Sequence, residues 1–328
     1  MPAALLEVEH LRIEIPTRRG LLTAIDDVSF AIAPGEVLGV VGESGAGKSI
    51  TGSAIIGLLE PPSRIAGGRI LFDGRRIDDL SGEAMRRIRG KEIGAIFQDP
   101  LTSLDPLFTV GRQLEETIRT HLALDRAAAR RRALALLQEV GIPAPEQRID
   151  HYPHEFSGGM RQRVVIALAL AGNPRLVIAD EPTTALDVSI QAQIIQLLKR
   201  LTREHGMAVM LVTHDMGVIA ETAHRVAVMY AGRLVELGPV RDVVMRPQHP
   251  YTAGLMAAIP SLGERVERLR QIEGTMPRLS EIPSGCAFHP RCPQVFARCR
   301  VERPELMPAG NATVACWLHA PSRKTAHG

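Results

Sequence analysis

The sequence has few aromatic residues, little net charge and no long apolar run. Aromatic side chains make up 3% of the 328 residues, so platforms on which nucleic-acid bases could stack are scarce. The formal net charge of +3 is too weak to indicate electrostatic binding of nucleic acid. No apolar run approaches the roughly 18 residues that span a bilayer, and the N-terminus lacks a basic patch followed by a hydrophobic core. We therefore expect a folded cytosolic protein that reaches a membrane only through a partner.

Cysteine is absent from the first 285 residues. The four cysteines lie together near the end of the chain, at Cys286, Cys292, Cys299 and Cys316. A cluster of this kind does not describe a disulfide framework, and clustered thiols in a reducing cytosol more often bind a metal than pair with each other. The intervening stretches of five, six and sixteen residues differ from the C-x-x-C pairs usual for zinc.

A glycine-rich segment at residues 42–49 fits the pattern G-x-x-x-x-G-K-[ST]. Its glycines let backbone N–H groups surround a phosphate chain, while the lysine supplies a cation and the serine a ligand for Mg²⁺. A strand predicted at residues 36–41 precedes the segment, and a helix predicted at 48–59 follows it, which is the order that a phosphate-binding loop requires. The expected contacts with ATP and Mg²⁺ are Gly42, Ser44, Gly45, Ala46, Gly47, Lys48, Ser49, Ile50, Gln98 and Asp180.

Polar residues follow three further predicted strands, where open α/β sheets bind their ligands. Asp180 ends one apolar strand and is placed to bind Mg²⁺, and the adjacent Glu181 is the candidate that polarises the attacking water. His214 follows another strand and could bind the γ-phosphate. Gln98 follows a third and could contact magnesium or water. We assign catalytic roles to Glu181, His214 and Gln98.

A second anion-binding feature precedes a predicted helix at Ser157, Gly158, Gly159 and Met160. A second phosphate site in one chain is most economically explained if it serves the nucleotide of another subunit. Helical spacing of apolar residues after residue 99 predicts a helical subdomain at about 99–172, inserted in an α/β core with parallel strands. The composition shifts beyond residue 247. The predicted organisation is an ATP-binding domain at 1–260 and a small cysteine-containing extension at 261–328.

In this order the motifs resemble the ATP-binding subunit of an ABC transporter, and in particular the D-type ATPase of dipeptide and oligopeptide importers. The resemblance assigns residues 42–49 to Walker A, Gln98 to the Q-loop, 157–160 to the signature, Asp180 to Walker B, Asp187 to the D-loop and His214 to the switch. Segments 249–252 and 285–293 resemble that family's C-terminal extension. The resemblance implies a P-loop NTPase fold of the ABC type.

It also implies partners: a second ATPase of the F type, two membrane permeases and an extracytoplasmic peptide-binding protein. The chain would lie peripherally at the cytoplasmic face of the cell membrane, and its signature would act on the partner's ATP. In this family the extension can carry an iron–sulfur cluster, so we expect the four cysteines to bind [4Fe–4S]. Zinc, with His289 as a spare ligand, and free buried thiols are the alternatives.

Other functions remain open on the sequence. A nickel or other small-solute importer shares the cassette, and so does an ABC-type ATPase that acts on DNA or ribosomes, although neither a long heptad insertion nor a second cassette is present. A non-catalytic regulatory subunit would not need the complete set of hydrolytic residues. Residues 15–20 lack the aromatic that commonly stacks on adenine, so we expect an aliphatic contact or one from Arg18 or Arg19.

Overall fold

Two β-sheets form the framework of the chain, which the computed structural model describes at residues 3–184, 186–258 and 271–320. Within these residues a four-stranded antiparallel sheet has the order β2-β1-β4-β5, and an eight-stranded mixed sheet has the order β11-β12-β10-β9-β3-β8-β7-β6. The strands are β1 (Leu6–Thr17), β2 (Gly20–Ile32), β3 (Val37–Val41), β4 (Arg64–Phe72), β5 (Arg75–Arg76), β6 (Ile93–Ile96), β7 (Leu176–Asp180), β8 (Ala208–Val212), β9 (Arg225–Tyr230), β10 (Arg233–Pro239), β11 (Met307–Ala309) and β12 (Ala312–Val314).

The helices connect and cover these strands. They are α1 (Lys48–Ile55), α2 (Gly82–Ile88), α3 (Val110–His121), α4 (Arg126–Glu139), α5 (Pro145–Arg148), α6 (Gly158–Leu170), α7 (Val188–His205), α8 (Met216–Thr222), α9 (Val240–Met245), α10 (Pro250–Ala257) and α11 (Ala297–Val301). A membrane-spanning helix is absent from the described residues.

The antiparallel sheet buries one face. In β1 the side chains of Leu6, Val8, Leu11 and Ile13 are all buried. A register shift between Val8 and Leu11, where His10 has φ of 50°, keeps both pairs on the same face because one extra residue restores the two-residue alternation. The apolar side chains of β1 and β2 therefore cover the side of the molecule that carries the glycine-rich segment at residues 42–49, called the glycine loop below.

Five parallel strands, β3 and β6 to β9, form the centre of the mixed sheet. β3 and β8 are buried at every position, which is typical of parallel strands covered by helices on both faces. The carboxyl ends of β3, β6, β7 and β8 meet at one edge of the sheet, since parallel strands point the same way. The glycine loop, Gln98 and His214 follow strands that end there, and Asp180 is the last residue of β7.

Helices α3 to α6 lie between β6 and β7, where the sequence predicts a helical insertion. Thr109 and Asp125 cap α3 and α4 by accepting backbone N–H groups of the first turns. Leu114 and Ile118 of α3 are fully buried with Leu136 of α4 in the main apolar core. The division of the chain at residues 99–172 and 260 stays a prediction.

Several predicted bounds agree with the structure and others do not. The sequence also predicts helices at 188–205 and 216–222 and a strand at 208–212, and α7, α8 and β8 have these limits. α1 ends at Ile55 instead of residue 59 because the chain turns at Gly57, where φ is 63°. The helix predicted from residue 161 is α6, which begins at Gly158 because Ser157 caps it. β4, β5, α2 and the C-terminal strands were not predicted.

Residues 271–320 extend the mixed sheet beyond the predicted boundary at 260. β12 pairs antiparallel with β10, with Glu236 opposite Val314, and β11 pairs with β12. Phe288 is 2% exposed, and its ring centroid lies 5.2 Å from that of Tyr230 and 5.4 Å from that of Tyr251. The extension therefore shares both the sheet and the core of the preceding residues.

Candidate active site

The loop between β3 and α1 has a shape that only glycine permits at several positions. Gly42 and Gly47 have φ of 152° and 105°. A Cβ at Gly42 would lie 2.3 Å from the Met229 carbonyl oxygen, and one at Gly47 would lie 2.5 Å from the Ile25 side chain. A Cβ at Gly45 would meet none of the described residues within 4 Å, so there is open space beside the loop at this position. The loop ends at the N-terminus of α1, whose free N–H groups and dipole favour an anion.

Lys48 lies at the start of α1 and is 5% exposed. Its Nζ donates to the carbonyl oxygens of Gly42 at 2.9 Å and Glu43 at 3.1 Å, so the ammonium is held against the loop. Burial lowers the pKa of Lys48, while the carboxylates of Glu181 and Asp180 oppose that effect. A buried ammonium in this position can neutralise charge on a phosphate chain that enters the loop.

Ser49 and Asp180 bring a hydroxyl and a carboxylate together across the site. Ser49 Oγ donates to Asp180 Oδ1 at 2.9 Å. Burial raises the pKa of the Asp180 carboxyl, and the charge of Glu181 adds to the effect, although the Ser49 hydrogen bond and Lys48 lower it. Oxygen ligands of this kind, with phosphate oxygens and water, are those that Mg²⁺ takes, so the two side chains fit that ion.

Glu181 follows β7 with a positive φ of 47°, and its backbone N–H donates to the Val212 carbonyl oxygen at 2.8 Å. Its carboxylate accepts hydrogen bonds from Gln98 Nε2 at 3.2 Å and Thr184 Oγ1 at 2.9 Å. His214 Nδ1 lies 3.5 Å from Glu181 Oε1. The structure thus brings together the three residues predicted to be catalytic and adds Thr184, which no sequence motif indicates.

One cavity of about 430 Å³ contains most of the predicted site. Its polar part joins the glycine loop to Gln98, Glu181 and His214. Its apolar part is formed by Ile15 and Ala24 of the antiparallel sheet and by Leu279 of the C-terminal extension. The lining residues are Ile15, Ala24, Ser44, Gly45, Gly47, Lys48, Ser49, Ile50, Gln98, Glu181, His214 and Leu279. The side chains of Arg18 and Arg19 do not line the cavity. Its lining therefore agrees with an aliphatic contact to adenine, which was expected as the alternative to a contact from either arginine.

The predicted signature lies apart from this cavity. Ser157 caps α6 by accepting the Met160 N–H at 3.4 Å, and Ser157 and Gly158 are exposed. None of residues 157–160 lines the cavity. Asp187, which is assigned to the D-loop, is the exposed N-terminal cap residue of α7. Residue 185, which belongs to the same predicted loop, lies outside the described residues.

The four cysteines are free thiols and lie near one another. The Cys286 N–H donates to the Cys299 carbonyl oxygen at 2.9 Å, burial raises the pKa of Cys286 to about 11, and the other three thiols add to that shift. Burial also raises the pKa of Cys292 and of Cys316. Within residues 3–184, 186–258 and 271–320, however, no group of three or more His, Cys, Asp or Glu side chains is arranged to hold a metal ion. This arrangement does not support the expected cluster, and the [4Fe–4S] centre stays a prediction.

Two family models match the chain. Residues 25–184 match the model described as ABC transporter. Residues 235–299 match the model described as oligopeptide/dipeptide transporter, C-terminal region. The first match contains the glycine loop, Gln98, the signature, Asp180 and Glu181, and the second contains three of the four cysteines.

Relatives with known names align with nearly the whole chain. The dipeptide transport ATP-binding protein DppD of Bacillus subtilis is 48% identical over 95% of this chain and 94% of its own length. DppD of Escherichia coli is 46% identical over 92% of this chain and 93% of its own length. Among solved structures, the ATP-binding cassette MJ0796, dimeric and bound to ADP and Pi, aligns with a TM-score of 0.65 at 31% identity over 72% of this chain and 99% of that one. The chain belongs to the ABC transporter family, and it carries the C-terminal region of oligopeptide/dipeptide transporters.

Proposed function

We propose that this chain is the ATP-hydrolysing subunit of an importer for dipeptides or oligopeptides. The observation that carries the proposal is the Glu181 carboxylate, which Gln98 and Thr184 hold at the wall of a cavity that also contains Lys48 and Ser49. A carboxylate fixed there can polarise a water for attack on the terminal phosphate. The identity to dipeptide transport proteins supports peptides as the solute.

Each polar side chain of the cavity then has one role. Lys48 contacts the β and γ phosphates, while Ser49 and Asp180 hold Mg²⁺, which would neutralise charge on the triphosphate. Glu181 orients the attacking water. His214 binds the γ-phosphate, and Gln98 links the nucleotide to the helical segment that follows it.

The signature completes the site of a partner. Ser157, Gly158 and Gly159 present free backbone N–H groups at the start of α6 but lie away from this chain's own cavity. We infer that they contact ATP bound to a second ATPase of the F type, with Met160 and Asp187 at the same interface. Two ATPase chains then bind two nucleotides at the interface between them.

The permeases would bind at the cleft beside Gln98. A cavity of about 660 Å³, mainly apolar, is lined by side chains that include Leu58, Phe97 and Leu168, and Phe97 is 46% exposed. A cytoplasmic helix of a permease fits such a groove. The chain would then lie at the cytoplasmic face of the membrane, and an extracytoplasmic binding protein would deliver the peptide to the permeases.

For the cysteines we retain the [4Fe–4S] proposal, with zinc as the alternative. Four neighbouring thiols supply the number of ligands that such a cluster needs. Iron and sulfide in a brown protein that dithionite bleaches would support it. Stoichiometric zinc without iron, or thiols that all react with an alkylating reagent in the freshly purified protein, would contradict it.

The proposed function is tested with the assembled transporter in proteoliposomes. Two permeases, this chain and an F-type ATPase are reconstituted with a peptide-loaded binding protein, and uptake of labelled peptide is measured with ATP hydrolysis. We expect ATP-dependent uptake that Lys48→Ala in this chain reduces. Hydrolysis that peptide-loaded binding protein does not stimulate, or uptake of nickel instead of peptide, would overturn the proposal.

A further inference from the structure

Glu43 places a negative charge in the loop that is expected to receive a triphosphate. It follows Gly42 directly, and its backbone carbonyl oxygen is one of the two that accept from Lys48 Nζ. An unpaired carboxylate here would repel the phosphates, because two like charges within about 10 Å still interact by more than 1 kcal/mol at the effective dielectric of a protein surface. Binding of a triphosphate therefore requires a cationic group that neutralises Glu43 and holds its side chain away from the phosphates.

Arg291 supplies a matching cation from the C-terminal extension. Its Nη1 and Nη2 donate to the two carboxylate oxygens of Glu43 at 2.7 and 2.9 Å, which is the bidentate geometry that distinguishes arginine from lysine. The Arg291 side chain is only 7% exposed. Its Nε donates to the Glu273 carbonyl oxygen at 2.8 Å, so the guanidinium is fixed from both sides. A pair this well shielded from solvent is screened little by salt.

Tyr251 fixes the backbone of the same residue. The Glu43 N–H donates to the Tyr251 hydroxyl oxygen at 2.9 Å. The Tyr251 ring is fully buried, with its centroid 4.7 Å from that of Tyr230 and 5.4 Å from that of Phe288. Both groups that hold Glu43 thus belong to parts of the chain beyond β10, and Arg291 lies 248 residues away in sequence.

We propose that Arg291 is a positioning residue for ATP, which neutralises Glu43, directs its carboxylate away from the triphosphate and fixes the carbonyl that holds Lys48. The inference rests on the proposed binding of ATP at the glycine loop. It assigns to the C-terminal extension a direct part in nucleotide affinity, separate from any metal that the cysteines bind. Arg291 touches no phosphate, and its effect reaches the nucleotide through Glu43.

The test measures the affinity of the purified full-length chain for a fluorescent ATP analogue with Mg²⁺. We expect Arg291→Met to weaken binding about tenfold, because a single uncompensated charge beside a polyanion accounts for about that factor. The double variant Glu43→Gln, Arg291→Met should recover most of the affinity, since the repelling charge is then gone. In the assembled pair of ATPases, Arg291→Met should raise KM for ATP and leave kcat within about twofold of wild type.

Two controls separate this inference from a general effect on folding and from the proposed function. Arg298→Met breaks the 2.7 Å ion pair with Glu302 in the same extension without touching the loop, and it should bind the analogue like wild type. Lys48→Ala should lose binding.

Four outcomes would overturn the inference. The first is wild-type affinity of Arg291→Met while Lys48→Ala fails to bind, which leaves the proposed function standing. The second is a double variant as weak as Arg291→Met, and the third is an equally weak Arg298→Met. Failure of the wild-type chain itself to bind would overturn both the inference and the proposed function.

Discussion

Glu181 adopts a backbone conformation that few non-glycine residues take, with φ of 47°. The strained residue is held by its own N–H, which bonds to the end of β8, and by Gln98 and Thr184 at its carboxylate. Such strain persists only where the surroundings determine it, and it is frequent in active sites. The conformation aims the carboxylate into the cavity, whereas Asp180 beside it faces Ser49.

Glu181→Gln should separate nucleotide binding from hydrolysis. The amide keeps the size of the side chain but is a poor base, so we expect ATP affinity within about threefold of wild type and turnover lower by at least about 100-fold. ATP-bound chains should accumulate in the closed pair. Single-turnover hydrolysis and size-exclusion chromatography with ATP measure the two effects. The matched variant Glu204→Gln, on the exposed face of α7, should hydrolyse like wild type, and normal turnover by Glu181→Gln would refute the role.

The residues of the polar part of the site could be predicted from sequence, and those of its surroundings could not. Lys48, Ser49 and Asp180 belong to local patterns in which a few neighbouring residues determine both the fold and the chemistry. Leu279 and Arg291 reach the site from the far end of the chain, and a single leucine or arginine carries no pattern that names its contact. Thr184 was missed because a single threonine carries no such pattern either.

At the scale of elements, α10 begins with an unusual cap. His249 is 1% exposed, and its Nδ1 accepts the Tyr251 N–H at 3.0 Å, which requires that this nitrogen carry no proton. Burial lowers the pKa of His249 to about 3, and the charge of His319 adds to the shift. The buried carboxylate of Glu236 lies beside His249 and accepts a hydrogen bond from its backbone N–H at 2.9 Å. The start of α10, which also positions Tyr251 under the glycine loop, therefore depends on a neutral histidine.

The stability of the chain should fall with acidification through this histidine. In the unfolded chain His249 takes up a proton near its ordinary pKa of about 6.5, while the folded chain resists protonation down to about 3. The contribution of His249 to the free energy of unfolding is thus largely complete above about pH 6.5. It declines as the pH falls, by about 2 kcal/mol at about pH 5. Urea unfolding at the two pH values measures the change.

His249→Asn serves as the test of that assignment, because asparagine can cap a helix and does not titrate. We expect the free energy of unfolding of the variant to differ much less between about pH 6.5 and about pH 5 than that of wild type, even if the variant is less stable at both. The exposed His154, changed to Asn, should leave the difference unaltered. An unchanged pH dependence in His249→Asn would refute the assignment to His249.

Element bounds followed from sequence where signals are local. α7 and α8 have cap residues and apolar spacing, and β8 is a buried apolar run, so their limits could be predicted. β11 and β12 have three residues each and pair with β10 across a long sequence interval. Strands this short carry no pattern, so their place in the sheet depends on contacts that the sequence alone does not reveal.

At the scale of the whole molecule, the predicted signature lies apart from the cavity of the same chain. The cavity is lined by Lys48, Ser49 and Glu181, and none of residues 157–160 lines it. A homologous cassette has been solved as a dimer bound to ADP and Pi. This separation predicts that damage to the signature affects a neighbour's nucleotide.

Gly158→Asp should impair the pair without impairing the chain alone. Among the residues that the structure describes, a Cβ at Gly158 meets only Leu186, at an ordinary contact distance of 3.7 Å, so the fold should tolerate the change. The new carboxylate would repel phosphate at the start of α6. We expect ATP affinity of the isolated chain within about twofold of wild type and turnover of the assembled pair lower by at least about tenfold. Weakened binding by the isolated chain would contradict action on the partner's nucleotide.

The contact between Arg291 and Glu43 also has a consequence for how the protein is made. Glu43 leaves the ribosome early and Arg291 late, since 248 positions separate them. Domains generally fold from the N-terminal end during synthesis, so strands β1 to β10 can assemble while the glycine loop still lacks Arg291. With the role proposed for Arg291, a growing chain would gain its full affinity for nucleotide only after residue 291 has been synthesised.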